Sequence, residues 1–203
     1  MSENESTDPI DDFLGSAHVF VSAVAEVIEE DLLREVTENQ ISVSQFKLLK
    51  LVSLTEAQTI SDVAAFLGVS NAAASKAVDK LVRMMLLRRT EGETDRRSIH
   101  LSLTQPGKRI LSSYEAARRR KLQEIFGNFQ REELQQAAAL LDRLSAHIAD
   151  TSGGEKQMCL QCGIYFREKC VLRKILSRQC LYQRQRGEPL NPAHPCFEGD
   201  PQT

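Results

Sequence analysis

The sequence predicts a mainly α fold with one small β-hairpin. Three observations carry that prediction. Between residues 9 and 150, apolar residues recur at three- and four-residue spacing almost throughout. One short run, Ile99, Leu101 and Leu103 against His100 and Ser102, alternates at period two instead. Ser, Thr, Asp, Gly and Pro punctuate the periodic stretches where helices would begin and end. The 203 residues hold one ordinary domain plus an appendage, and a hydrophobic fraction of 41% is enough for a core.

Met1 to Thr7 is polar and reads as disordered. Asp8-Pro9 is an N-cap followed by Pro at the first helical position, with Asp11 and Asp12 in the favourable first turn. From there the pattern predicts a long amphipathic helix to about Val36. Its apolar stripe is Phe13, Ala17, Phe20, Val24, Val27 and Ile28. Ile41 to Glu56 reads as the next helix, capped near Ser42 or Ser44, with Phe46, Leu49, Leu51 and Leu54 apolar.

Thr59 to Thr104 is the most informative stretch. Thr59 or Ser61 caps a short helix whose apolar face is Val63, Ala64 and Leu67. Gly68 suits the turn that follows, because it tolerates positive φ. Ser70 caps a second helix, with Ala74, Val78, Leu81 and Met85 as its buried stripe. The opposite face carries Asn71, Ala72, Ala73, Ser75, Lys76 and Lys80. Small and polar residues there let a helix backbone approach a duplex closely. Leu86 to Arg89 and Ser98 to Leu103 are strand-like, joined by a polar loop that includes Gly92, Asp95, Arg96 and Arg97. Arginines beside such a tip fit the negative potential of a minor groove.

Thr104 caps a further helix through Pro106 and Gly107 to about Phe129. Ile110, Leu111, Tyr114, Leu122, Ile125, Phe126 and Phe129 mark its buried face. Arg118 to Lys121 is a basic run on this helix, read first as a solvated face. A last helix spans about Arg131 to Asp150, with Leu134, Ala138, Leu141, Leu144 and Ile148 at helical spacing. Thr151-Ser152-Gly153-Gly154 is a short linker.

The LGVSNAAASKAVDKL run, the Asp95-Arg96-Arg97 triplet and the LSLTQPGK run together resemble the winged helix-turn-helix of the MarR family of transcription regulators. The likeness covers about residues 10–150. It implies a winged-helix domain at 9–150 with a DNA-binding core at about 41–104, and N- and C-terminal dimerisation helices. It implies a homodimer on double-stranded DNA, with the helix from Ser70 reading the major groove of a pseudo-palindromic operator. Ser70, Asn71, Ala73, Ser75 and Lys76 are the groove or phosphate candidates. Arg96 and Arg97 are the wing candidates, with Asp95 orienting an arginine. Two features depart from the family: Met85 stands where Gly is frequent, and Glu91 and Glu93 make the wing tip acidic.

All five cysteines lie beyond the linker, at 159, 162, 170, 180 and 196, in a tail at 155–203 that the resemblance does not cover. A C-x2-C unit lets two thiolates bind one metal from a single turn. Four thiolates suffice for an iron–sulfur cluster or for zinc. Cys159, Cys162, Cys170 and Cys180 are the preferred set, with Cys196 and His194 as alternates. Eight Lys or Arg against one acid between Lys156 and Arg186 favour thiolates. A metal-free thiol switch, or a basic tail adding phosphate contacts, remain open alongside the metal reading.

Net charge is −2, and residues 1–33 contain no Lys or Arg. A near-neutral total does not exclude DNA binding, since the local footprint matters. The absence of Trp argues against a stacking platform for single strands. No apolar run nears the ~20 residues of a membrane span, and the acidic start is wrong for a secretory signal, so a cytoplasmic protein without membrane partners is expected. No acid–base constellation accompanies the thiols; His18, His100 and His147 are not grouped with them. The expectation is therefore a dimeric, sequence-specific DNA-binding regulator and not an enzyme. It would be controlled by a redox, metal or small-molecule signal. The alternative is an iron–sulfur or zinc protein in electron transfer, or an interaction module without DNA binding.

Overall fold

The computed structural model describes residues 8–38, 40–54, 59–91 and 99–150, together with Tyr165 and Cys170. Helix α1 (Pro9–Ala23) begins where the Asp8 carboxylate accepts the Ile10 N–H at 2.9 Å. It runs without a break into a π-helical segment (Val24–Asp31) and then α2 (Leu32–Thr37). The single α-helix expected to Val36 is thus loosened in its middle. The reason lies in the spacing: Val24, Ile28, Leu32 and Val36 repeat every four residues. An α-helix turns every 3.6 residues, so such a stripe drifts off one face unless the turns widen. Burial begins only at Ile28, Leu32 and Leu33.

Helix α3 (Val43–Leu54) starts at a reciprocal cap. Gln45 N–H donates to Ser42 Oγ at 3.3 Å, and Ser42 N–H donates to Gln45 Oε1 at 3.0 Å. Phe46, Leu48, Leu49, Leu51 and Val52 are all buried, so this helix is apolar on most sides and forms the centre of the core. Helix α4 (Ile60–Leu67) is held at its start by a capping box between Thr59 and Asp62, and it ends at Gly68 in the left-handed region, φ +67°. Helix α5 (Asn71–Arg83) buries Ala74, Val78 and Leu81 fully.

Met85 does not join that stripe. It is 70% exposed and sits beyond the helix at φ +58°. Leu86 N–H donates to Leu81 O at 2.9 Å, closing the helix with a turn that throws Met85 outward. The chain then forms an antiparallel hairpin, β1 (Leu87–Glu91) and β2 (Ile99–Leu103), with Leu87 opposite Leu103 and Arg89 opposite Leu101. The first strand therefore lies one to two residues later than its sequence pattern suggested.

Helix α6 (Gln105–Phe126) is anchored to the base of the hairpin. Thr104 Oγ1 accepts the Gly107 N–H at 3.2 Å, and Thr104 N–H donates to Leu86 O at 3.1 Å. Gly107 lies so close to the residue preceding β1 that a Cβ would stand 2.3 Å from Leu86 O. Farther along, the Tyr114 hydroxyl donates to Ile28 O at 2.9 Å, and its ring centroid is 4.2 Å from that of Phe46. One helix thus connects the wing, the core and the π segment. It ends before Phe129, which is 55% exposed rather than buried; Leu122, Ile125 and Phe126 are half-buried.

Helix α7 (Arg131–Asp150) leaves Leu134, Leu140 and Leu141 exposed. Helix α1 buries nothing; Leu14 and Phe20 are about half exposed, at 52% and 50%. Among the described residues, no helix is long and apolar enough to cross a membrane.

Candidate nucleic-acid interface

The α4–turn–α5 unit is positioned by its buried stripes. Val63, Ala64 and Phe66 of α4, with Ala74, Val78 and Leu81 of α5, enter the same core as α3. That fixes which face of α5 is left outside. Asn71, Ala72, Ala73, Lys76, Asp79 and Lys80 are exposed, and Ser75 is half-buried at the edge. The five residues singled out on this helix are therefore brought together at its N-terminal half. Their roles divide, however. Ser70 Oγ accepts the Ala73 N–H at 3.3 Å, so its hydroxyl is engaged in capping. Ala73 offers only a small surface, which lets a duplex come close. Asn71 and Lys76 carry the exposed hydrogen-bonding groups. The first-turn N–H groups of α5 also point to this end and favour an anion such as phosphate.

The hairpin adds a feature that sequence reading missed. Arg88 and Arg89 are both exposed on β1. Arg89 Nη1 lies 3.4 Å from Asp79 Oδ1 on α5, bridging the strand to the helix. With both partners substantially exposed, this pair is worth little in stability; its effect is to orient Arg89 beside the helix face. The Leu87-Arg88-Arg89 order places two arginines at the start of the strand, but only the fold sets Arg89 beside Asp79. Asp95, Arg96 and Arg97 lie outside the described residues.

The basic run on α6 is divided in use. Arg118 is only 24% exposed and lies 3.7 Å from Glu115, whereas Arg119 and Arg120 face solvent. Lys121 pairs with Glu124 at 3.3 Å. A cleft of about 510 Å³ opens between the π segment, α2, the start of α3 and Lys80 of α5; Glu30, Arg34, Ile41 and Ser44 also line it.

Of the thiols, Cys170 is described: it is half-buried and carries no disulfide. Cys159, Cys162, Cys180, Cys196 and His194 lie outside the described residues. Among the described residues, no group of three His, Cys, Asp or Glu side chains could hold a metal ion.

Residues 41–99 match the MarR family model. Among solved structures, RV1404 from Mycobacterium tuberculosis is 27% identical, with a TM-score of 0.57, covering 76% of this chain and 99% of its own. Streptococcus pneumoniae FabT, solved in complex with DNA, is 25% identical, with a TM-score of 0.58, over 70% of this chain and 97% of its own. The MarR family transcription regulator SP03579 shares the fold at 22% identity and a TM-score of 0.63, over 72% and 94% of the two chains. No curated protein sequence matches the chain.

Proposed function

We propose that this chain, a member of the MarR family through residues 41–99, regulates transcription as a homodimer that reads a pseudo-palindromic duplex with two copies of α5. One observation carries the reading. The N-terminal half of α5 presents Asn71, Ala73 and Lys76 outward, at the positive end of a helix whose other face is locked into the core. Arg89, oriented by Asp79, extends the same surface onto the hairpin. Arg96 and Arg97, with Asp95 beside them, are assigned to the minor groove.

The second copy is the occupant we assign to the bare apolar faces of α1 and α7. These helices carry Phe20, Leu134 and Leu141 in their apolar stripes and yet expose them, and Leu14 is exposed beside the first stripe. A symmetric pairing of such faces would set the two α5 helices a fixed distance apart. FabT, one of the similar structures, is seen with DNA, which adds weight to the same assignment here.

Regulation on this reading acts on that distance. The cysteine tail, through Cys159, Cys162, Cys170 and Cys180 holding an iron–sulfur cluster or zinc, is one input. A small effector in the cleft that touches both α2 and Lys80 of α5 is another. The test is duplex binding by full-length protein on a sequence selected from a random pool. Asn71→Ala is expected to weaken binding and to relax preference at one base position. Lys76→Ala is expected to weaken all duplexes alike and to flatten the salt dependence by about one unit. Unchanged affinity and salt slope in both variants would remove α5 from the interface.

A further inference from the structure

Tyr165 belongs to the cysteine-bearing segment, three residues after Cys162 and five before Cys170. It packs against the edge of the winged unit's core, and its ring lies over the Arg118 guanidinium, with Cζ 5.0 Å from the centroid. The seat is a junction of three elements. Glu29 comes from the π segment, Lys47 and Lys50 from α3, and Glu115 and Arg118 from α6. Glu29 pairs with Lys47 at 3.6 Å, Lys50 pairs with Glu115, and Glu115 lies 3.7 Å from Arg118. Tyr114, whose hydroxyl ties α6 to the π segment, stands beside them.

Two polar atoms at this seat are buried without a hydrogen bond among the described residues: Arg118 Nε and the Tyr165 hydroxyl oxygen. Burying them unpaired is unfavourable. The attraction that holds Tyr165 comes chiefly from its ring, through apolar burial and through the guanidinium over its face, with its hydroxyl also turned toward Arg118.

We propose that Tyr165 fastens the cysteine-bearing segment to the winged unit by seating its ring on Arg118, where the π segment, α3 and α6 meet. The π segment continues the end helix α1, and α6 starts at the base of the hairpin, so the seat joins an end helix to the winged unit. A rearrangement around Cys162 or Cys170 that lifts Tyr165 uncovers Arg118 and loosens the contact between α6 and the π segment. Thiol chemistry in the tail thereby reaches the duplex-binding face without touching it. The last step rests on the DNA-binding reading; the fastening does not.

The fastening is read by native-state trypsin cleavage of the full chain at Arg167, Lys169 and Arg173, basic residues that follow Tyr165 in the sequence. Arg118→Ala should speed this cleavage about tenfold, the equivalent of one desolvated cation–π contact, and Tyr165→Ala, which also loses the ring's apolar burial, should speed it more. The double variant should cleave no faster than Tyr165→Ala, because that change already removes the contact with Arg118. Tyr165→Phe keeps the ring and loses only the hydroxyl, so it should cleave much nearer the wild-type rate than the Ala rate. Cleavage of Tyr165→Ala at the wild-type rate, or of Tyr165→Phe at the Ala rate, overturns the fastening. If Arg118→Ala fails to fold, the Ala and Phe variants at 165 decide alone. For the coupling, alkylating the tail thiols should change the affinity of the wild type for a selected duplex and leave that of Tyr165→Ala unchanged. An equal response in both overturns the coupling. A chain that binds no duplex at all contradicts the DNA-binding reading and leaves the cleavage result standing.

Discussion

The winged unit and the two end helices use the same kinds of apolar residue, but they close differently. In the winged unit, Phe46, Leu48, Leu49, Val63, Val78 and Leu81 are essentially removed from solvent within one chain. In α1 and α7, Phe20, Leu134 and Leu141 lie in stripes of helical spacing and remain exposed. Periodicity thus says that a face is to be buried; it does not say by what. The winged unit is satisfied by its own neighbours, whereas the arms require a second surface of the same character. Between the two regions, Tyr114 and the Tyr165 seat form the seam.

The largest effect should come from breaking the arm side of this comparison. Leu141→Glu is expected to give a folded monomer by sedimentation. It should lose about a hundredfold in duplex affinity, since two half-sites then bind independently. The same change has almost no cost to the winged unit, so its unfolding midpoint should hold. Damage to the winged side should show the opposite pattern. Gly107→Ala drives a Cβ into Leu86 O and is expected to cost roughly 1–3 kcal/mol in denaturant unfolding, with the dimer retained.

The seam should give intermediate effects. Tyr114→Phe removes the hydrogen bond to Ile28 O and should cost about 1 kcal/mol. Burial, followed by the neighbouring Tyr165, pushes the Tyr114 hydroxyl well above its ordinary value of 10.0. The folded form thus favours neutral tyrosine. That contribution is fully present below the ordinary value and fades as pH rises above it toward the folded value. Denaturation measured between neutral and strongly alkaline pH should show this loss in the wild type and less of it in Tyr114→Phe. The smallest effect is a gain. Met85 occupies a left-handed position while mostly exposed, so Met85→Gly should stabilise the winged unit by about 1 kcal/mol.

What the sequence revealed follows from how local each signal is. Thr59, Gly68, Ser70 and Thr104 act within four residues of themselves, and each was readable as a cap or a turn and is found as one. Met85 was misplaced because the apolar spacing continues to it from Leu81, while the turn that ejects it depends on backbone closure between Leu86 and Leu81. The π segment was hidden because a four-residue repeat resembles an α pattern over two turns. In the duplex-facing site, Asn71 and Lys76 were legible from the polarity of one helix face. Arg89 was not, because its orientation depends on Asp79, ten residues away in sequence and adjacent only after folding. Tyr165 is not legible either, because nothing in its local sequence names Arg118 as its partner.

The central claim is that two α5 helices, held by the arms, read one duplex together. Selection of full-length protein against a pool of random duplexes tests it most directly. The account predicts an enriched motif with twofold symmetry and half-site centres about one helical turn, ~10 base pairs, apart. An enriched motif without twofold symmetry, or no enrichment at all, would contradict it.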